Sequence, residues 1–393
     1  MHDPRALFVL DPDSVYLNHG SFGATPRPVL DAQHAMRERM ERNPMQFLVR
    51  EWERNFDEAR SVLGRFIGAS SDDLAALSNA TAGVNTALRA FDLAPGDELL
   101  VTDHEYNACA NALRVIAEER GATVVLVTVP FPLRDANEVV DAVMSKVTSR
   151  TRLALIDHVT SQTALVMPVE KIVPLLRARG VETIVDGAHA PGMVPLDLDS
   201  LGAAFYTGNL HKWVCAPKGA AFLHVRRDWQ ARTRPLAISH GANSTRTDRS
   251  RFRIEFDWTG TDDPTPFLCV PEALRVMGSV VRGGWDALRA GNRELAIYGR
   301  DRLCDALGVE APAPLSMLGS MASVPLPDAL VYPLSPDEPE MDPLQWDLFR
   351  AHAIEVPVMT WPDSARRVLR ISAQVYNRPE EYDLLASALR ARV

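Results

Sequence analysis

Between two apolar runs, 203–206 and 219–225, the chain places a short polar turn, His211-Lys212-Trp213. A lysine held between core strands, with small residues around it, is positioned for chemistry, because burial readily alters its pKa. Upstream, the apolar run "ETIVD" ends on Asp186, and "SNATAGVN" (78–85) joins another apolar run to a helical pattern through small residues. Lysine forms Schiff bases with aldehydes. A carboxylate keeps a pyridine nitrogen protonated, so that the ring can accept electrons. A small-residue turn that opens a helix offers free N–H groups and a positive dipole end to an anion. An aldehyde, a pyridine ring and a phosphate together describe pyridoxal 5'-phosphate (PLP). Lys212, Asp186 and the 78–85 turn therefore predict that cofactor. Each piece is weak alone, since Asp, Asn and Thr at such places commonly cap helices or turns. Their order along one sheet carries the prediction.

The elements that must position them follow from the hydrophobic pattern. Candidate strands lie at 74–78, 98–102, 123–129, 153–157, 183–186, 203–207 and 220–225, and helical patterns at 82–90, 108–119, 138–147 and 170–179 fall between most of them. Strands rich in Val, Ile and Leu without polar alternation are buried on both faces, and helical crossovers imply mainly parallel order. The expectation is a doubly wound α/β domain over 21–264. Two charged amphipathic helices, 29–42 and 46–66, precede the first strand. Long helices at 266–281 and 285–307 follow, then strands near 317–324, 354–359 and 368–373 and a closing helix at 380–390. These predict a smaller α+β domain from 1–20 and 265–393, with the Pro-rich stretch 325–343 as a surface excursion. In such sheets ligands sit beyond the carboxyl ends of the strands. The residues there, 78–85, 103–108, 157–163, 185–192 and 207–213, are polar and rich in small side chains.

Composition narrows the alternatives. At 393 residues the chain can build a large core, and its 46% hydrophobic and 24% charged residues are ordinary for a globular protein. Lys and Arg (42) against Asp and Glu (51), without blocks of one sign, argue against nucleic-acid or membrane-surface binding. The five-residue run 6–10 is too short for a signal core or a membrane span. Cys109, Cys215, Cys269 and Cys304 lie far apart, with neither metal-site nor disulfide spacing, so no metal and a reducing cytoplasm are expected.

The sequence resembles the fold-type I PLP enzymes of the class V aminotransferase group, and within it the isopenicillin N epimerase-like branch. The matching stretches are "YLNHGSFGATP" (16–26), "NATAGVN" (79–85), "DHEYNA" (103–108), "DGAHAPG" (186–192), "YTGNLHKW" (206–213), "WTGTDDP" (258–264) and "LRISAQVYN" (369–377). They run in family order along nearly the whole chain. The resemblance implies a PLP-dependent transferase-like large domain with a mainly parallel seven-stranded sheet. It implies that Lys212 holds PLP as a Schiff base, that Asp186 pairs with the ring nitrogen, and that His189 supports the ring oxygen or Asp186. Ala80 and Thr81 would hold the phosphate, with His211 and Thr207 adding donors. Tyr106 would stack on the ring where the family often has a histidine, and His158 or Thr160 would bond the 3-oxygen. Thr261 would reach the phosphate of the neighbouring subunit in a homodimer. Arg370 would clamp the carboxylate of an amino acid substrate, with Asn18 and His19 at the mouth.

The implied reaction begins alike across the group. The substrate amine displaces Lys212, whose freed amine takes the Cα proton. Three outcomes stay open: epimerisation, which the resemblance favours; loss of a β-substituent in a C–S lyase; and transamination. Epimerisation needs a second acid opposite Lys212; no residue declares itself, and Tyr106, stacked on that side, qualifies only with a lowered phenol pKa. A non-catalytic PLP-fold binding protein would have lost the lysine or the aspartate, and both are present. Desulfurases of the group carry a mobile cysteine shortly before the "RxS" arginine. The stretch 352–372 has none, so no cysteine persulfide is expected.

Overall fold

The structure is a computed structural model and describes residues 3–334, 341–363 and 365–393. Its central sheet has seven strands: β1 (Leu74–Leu77), β2 (Glu98–Thr102), β3 (Thr123–Val127), β4 (Thr151–Asp157), β5 (Glu182–Asp186), β6 (Phe205–Asn209) and β7 (Ala221–Val225). Their order is β1-β7-β6-β5-β4-β2-β3. All neighbours pair parallel except β7, which runs antiparallel to both β1 and β6. The mainly parallel α/β fold is as the sequence implied.

The continuous apolar runs make sense once both faces are covered. Along β4, Leu153 and Leu155 enter one core cluster, while Ala154 and Ile156 enter the other. Successive side chains point to opposite faces, so a strand with helices on each side needs apolar residues throughout. One face is covered by α1 (Ala80–Leu88) and α2 (Asn107–Arg120). The other meets helices that include Trp52–Ile67, Ala136–Ser145 and Val169–Arg177. The chain leaves β2 toward β3 but returns to β4 on the other side of β2. This reversal opens a crevice at the carboxyl ends of β2 and β4, where such folds bind ligands.

A three-stranded antiparallel sheet, β8 (Met321–Pro325), β9 (Val358–Thr360) and β10 (Arg367–Ser372), has β10 in the middle. It packs with Gly284–Leu307 and Pro379–Arg390 around Leu303, Leu369 and Leu385. The N-terminal segment belongs to this unit. Val15–Tyr16 pairs with Ile354–Glu355, and the Ser372 amide donates to the Leu17 carbonyl at 2.9 Å. The expected strand over 354–359 is two short strands with Val356 and Pro357 between them. Helix Val270–Ser279, placed by the sequence division with the smaller domain, packs through Val270, Ala273 and Leu274 into the core beneath the large sheet. Its apolar stripe finds Phe56 and Phe267 there, and hydrophobicity alone does not say which of two cores a helix will join. Of the expected excursion over 325–343, residues 335–340 lie outside the described residues. No helix among the described residues is long and apolar enough to cross a membrane.

Candidate active site

The turn that carries Lys212 is fixed on three sides. The Leu210 and His211 amides both donate to the Ala220 carbonyl, at 2.9 and 3.2 Å, and the Ala216 amide closes back on Leu210 at 3.0 Å. Cys215 sits in the left-handed region, φ 60°, a conformation a non-glycine residue holds only where its surroundings impose it. His19 presses from behind: its Nε2 donates to the Lys212 carbonyl at 3.0 Å, and its Nδ1 accepts from the Tyr376 hydroxyl at 2.8 Å. The N-terminal loop lies so close that a Cβ on Gly23 would stand 2.5 Å from the His211 carbonyl oxygen. Only glycine permits that approach.

Lys212 opens on a cleft of about 360 Å³, lined among others by Ala80, Thr81, Tyr106, Asp186, His189 and Arg370. Its Nζ lies 3.0 Å from His189 Nε2. The indole N–H of Trp213, which can only donate, points at His189 Nδ1. The proton of a neutral His189 therefore sits on Nε2 and is given to an uncharged Lys212 amine. Burial, and then the Arg370 charge, pull the Lys212 pKa from its usual value down to about 7. A neutral amine is the form that attacks an aldehyde. In the protein freed of cofactor, the rate of PLP capture should rise with pH through about 7 and level off above it. Stopped-flow absorbance checks this, and a rate still climbing toward the usual lysine range would contradict it.

Asp186 closes the strand "ETIVD" in the floor of the cleft. Its Oδ1 accepts from the Ala188 amide at 2.9 Å, and its Oδ2 accepts from the Cys109 thiol at 3.1 Å. At the other end, α1 begins. Asn79 caps it by accepting from the Ala82 amide at 2.8 Å, and Asn209 Oδ1 takes the Ala80 amide at 2.8 Å. Asn79, Ala80, Thr81, Asn209 and His211 line the cleft there. His211 Nδ1 bonds the Ala220 carbonyl at 3.0 Å, and burial lowers its pKa to about 4. Tyr106, 46% exposed, lines the same cleft. His104 does not. It is buried between the Thr163 hydroxyl (2.7 Å) and the Val129 carbonyl (3.1 Å), a satisfied structural histidine.

Arg370 comes from the middle strand of the small sheet. It is 1% exposed, and its guanidinium donates to the Ser161 carbonyl (2.8 Å), the Ser21 hydroxyl (2.7 Å) and Asn18 Oδ1 (3.4 Å). Its Nε has no partner, and no carboxylate lies within ion-pair distance among the described residues. Burial brings its pKa down to about 10. A buried guanidinium almost always has an anion beside it. This one has only neutral acceptors.

Several expected residues lie outside the cleft. His158 turns away and bonds the Tyr206 hydroxyl at 2.8 Å. Thr160 spends its hydroxyl on Thr163 and on the Leu165 amide, both at 2.8 Å. Thr207 donates across the sheet to the Phe222 carbonyl at 2.8 Å. His19 is completely buried behind Lys212, while Asn18 reaches the site only through Arg370. Thr261 is exposed and apart from this cleft. For His158 the alternation of a strand decides: Asp157 faces the cleft, so the next residue along the chain points away. Reasoning from sequence missed Asp157, Glu105, Cys109, Asn209, Ser21 and Ser161. Asn209 stood inside the quoted "TGNLHKW", and Asp157 ends its strand as Asp186 does. Those were usable signals. A larger hollow, about 750 Å³, is lined by Asp57, Asp72, Arg249 and Arg253, but these charges are paired with one another.

The family model of aminotransferase class-V matches residues 15–330. The chain belongs to that family. It is 36% identical to an isopenicillin N epimerase of Amycolatopsis lactamdurans, over 98% of this chain and 97% of the relative. It is 32% identical to a probable chloroplastic L-cysteine desulfhydrase of Arabidopsis thaliana, over 98% of this chain and 84% of that one. Among solved structures it is similar in fold to a mutant of C-DES with glycine covalently linked to the PLP cofactor. That likeness has a TM-score of 0.83 at 20% identity and covers 99% of each chain. The cysteine desulfurase CsdA of Escherichia coli follows with a TM-score of 0.78 at 19% identity, over 100% of this chain and 98% of that one. The expectations of this fold, of an enzyme and of PLP as cofactor are borne out by these likenesses.

Proposed function

We propose that the chain is a PLP-dependent enzyme that removes the α-proton of an amino acid and returns it on the opposite face, as an epimerase. The observation that carries the amino acid reading is Arg370, a buried guanidinium on the cleft with no carboxylate of its own. A substrate carboxylate fits its planar fork at two points. PLP, when bound, takes up the electron density released at the substrate's Cα. Lys212, with a pKa near neutrality, is tuned to accept the α-proton. Asp186 holds the ring nitrogen protonated, and His189 orients the Lys212 amine. Ala80, Thr81 and Asn209 form the phosphate end, with His211 beside them. Tyr106 is the acid for the other face. The closeness to the two epimerases, 36% and 34% identical, supports this outcome.

Removal of a β-substituent is the second reading, since it requires no acid beyond Lys212 and a desulfhydrase relative matches the sequence over 98% of this chain. A persulfide mechanism is not supported by the cysteines. All four are buried, and burial raises each thiol's pKa, so none offers a thiolate. The setting we propose is a cytoplasmic homodimer in which the exposed Thr261 reaches the partner's phosphate. The domain division remains the one read from the sequence, except that Val270–Ser279 packs in the core of the large domain.

Incubation with a panel of L-amino acids and cysteine conjugates in deuterated water tests the reaction. Deuterium should enter at Cα of at least one substrate, with its D-form accumulating. Pyruvate release would favour the lyase instead. Absence of exchange from every amino acid in a yellow, folded protein would contradict the proposal.

A further inference from the structure

Beside Asp186 stand acids to which the chemistry above gives no task. Glu105, from the loop after β2, is buried, and its carboxyl lies close enough to that of Asp157, at the end of β4, for each to act on the other's charge. Apart from adjacent backbone amides, neither Glu105 oxygen nor Asp157 Oδ2 meets a donor among the described residues. Asp157 is the register partner of Asp186 on the next strand. Oxygens of Glu105 and Asp186 and the Cys109 sulfur all lie within 4.8 Å of one another. Asp186 differs from the other two acids, because it receives both the Ala188 N–H and the Cys109 S–H.

Ionised carboxylates only accept hydrogen bonds, so buried carboxyl oxygens that lie together without donors are relieved when one of the acids carries a proton. Three anions crowded in a dry site would cost far more than that proton. We propose that Glu105 and Asp157 share one proton as an acid pair, which leaves Asp186 as the ionised carboxylate of the cluster. Glu105 is then a positioning residue. It fixes which of three neighbouring acids carries the charge that faces the ring nitrogen, and this part rests on the PLP reading above. The groups facing the pair are Asp186 from β5, Cys109 from α2 and Lys212 from the turn after β6.

Burial and these neighbours hold Glu105 and Asp157 well above the usual carboxyl range. A folded-state pKa raised above its unfolded value gives stability that is present below the unfolded pKa and lost as pH rises through the folded one. Glu105→Gln keeps a donor toward Asp157 but has no proton to lose. The melting temperature should therefore fall less steeply from pH 5 to pH 9 in this variant than in the wild type.

The direct experiment is infrared difference spectroscopy of the purified, yellow full-length enzyme at neutral pH. The wild type should show the C=O stretch of a protonated, dry carboxyl group, and both Glu105→Gln and Asp157→Asn should lose it. Circular dichroism verifies that each variant is folded. A wild type without that band, a band unchanged in both variants, or identical pH slopes of melting would overturn the proposal. A protein that has the band but never binds PLP would instead overturn the cofactor reading alone.

Discussion

Lys212→Ala should abolish the yellow colour and nearly all turnover while the protein stays folded. The side chain has two tasks, covalent attachment of the cofactor and transfer of the α-proton, and alanine performs neither. A positioned acid–base group alone contributes roughly 10²- to 10⁴-fold, so the loss should reach at least that size. The fold should survive, because the turn is held by backbone bonds to Ala220, Leu210 and His19 rather than by the lysine side chain. His189 loses its partner at Nε2 but keeps the Trp213 contact. Absorbance, steady-state rates and circular dichroism on one preparation check all three parts. An alanine variant that turned over substrate within tenfold of the wild type would contradict the assignment.

Arg370→Lys should separate substrate binding from cofactor binding. Substrate is already tethered through its amine, so its carboxylate fixes the remaining rotation about Cα and with it the bond that breaks. A guanidinium grips that carboxylate at two points, whereas an ammonium is a compact point charge without the planar match. Losing a buried charge-assisted contact costs about 2–5 kcal/mol, so kcat/KM should fall roughly 30- to 5000-fold. PLP content and colour should be unchanged, and side products from the misoriented substrate should increase. The alternative, that Arg370 is a structural cation paired with an acid, finds no acid in the structure. Kinetics like those of the wild type, or loss of PLP together with the fold, would remove Arg370 from the site.

Lys212, Asp186, His189 and Tyr106 were legible in the sequence because each ends or follows a strand of the large sheet, while Arg370, inside β10 of the small sheet, was marked by the resemblance alone. A parallel sheet brings the residues after its strands to one edge, so chain order alone gathers them. His158, Thr160 and Thr207 show where that reasoning stops. They are one residue out of phase with the cleft or spend their hydroxyls inside the sheet, and motif position carries no side-chain direction. Glu105 was overlooked for a related reason. Within "DHEYNA" attention falls on the aromatic and the histidine, while the burial of the glutamate against Asp157 arises only when β2 and β4 become neighbours across the sheet. From the sequence, Asn18 and His19 in the N-terminal loop point only to the mouth of the site. In the fold the loop is a clamp on the Lys212 backbone, through the close approach of Gly23 and the His19 hydrogen bond.

The chain contains four lysines, Lys146, Lys171, Lys212 and Lys218. That small number makes one measurement decisive for the central claim, that this cleft holds PLP on Lys212. The purified enzyme is reduced with borohydride, which fixes a Schiff base irreversibly, then digested and mapped by mass spectrometry. The account predicts one phosphopyridoxyl-lysine, at Lys212, and release of free cofactor on the same treatment of Lys212→Ala. A stoichiometric label on Lys146, Lys171 or Lys218, with Lys212 unmodified, would contradict it.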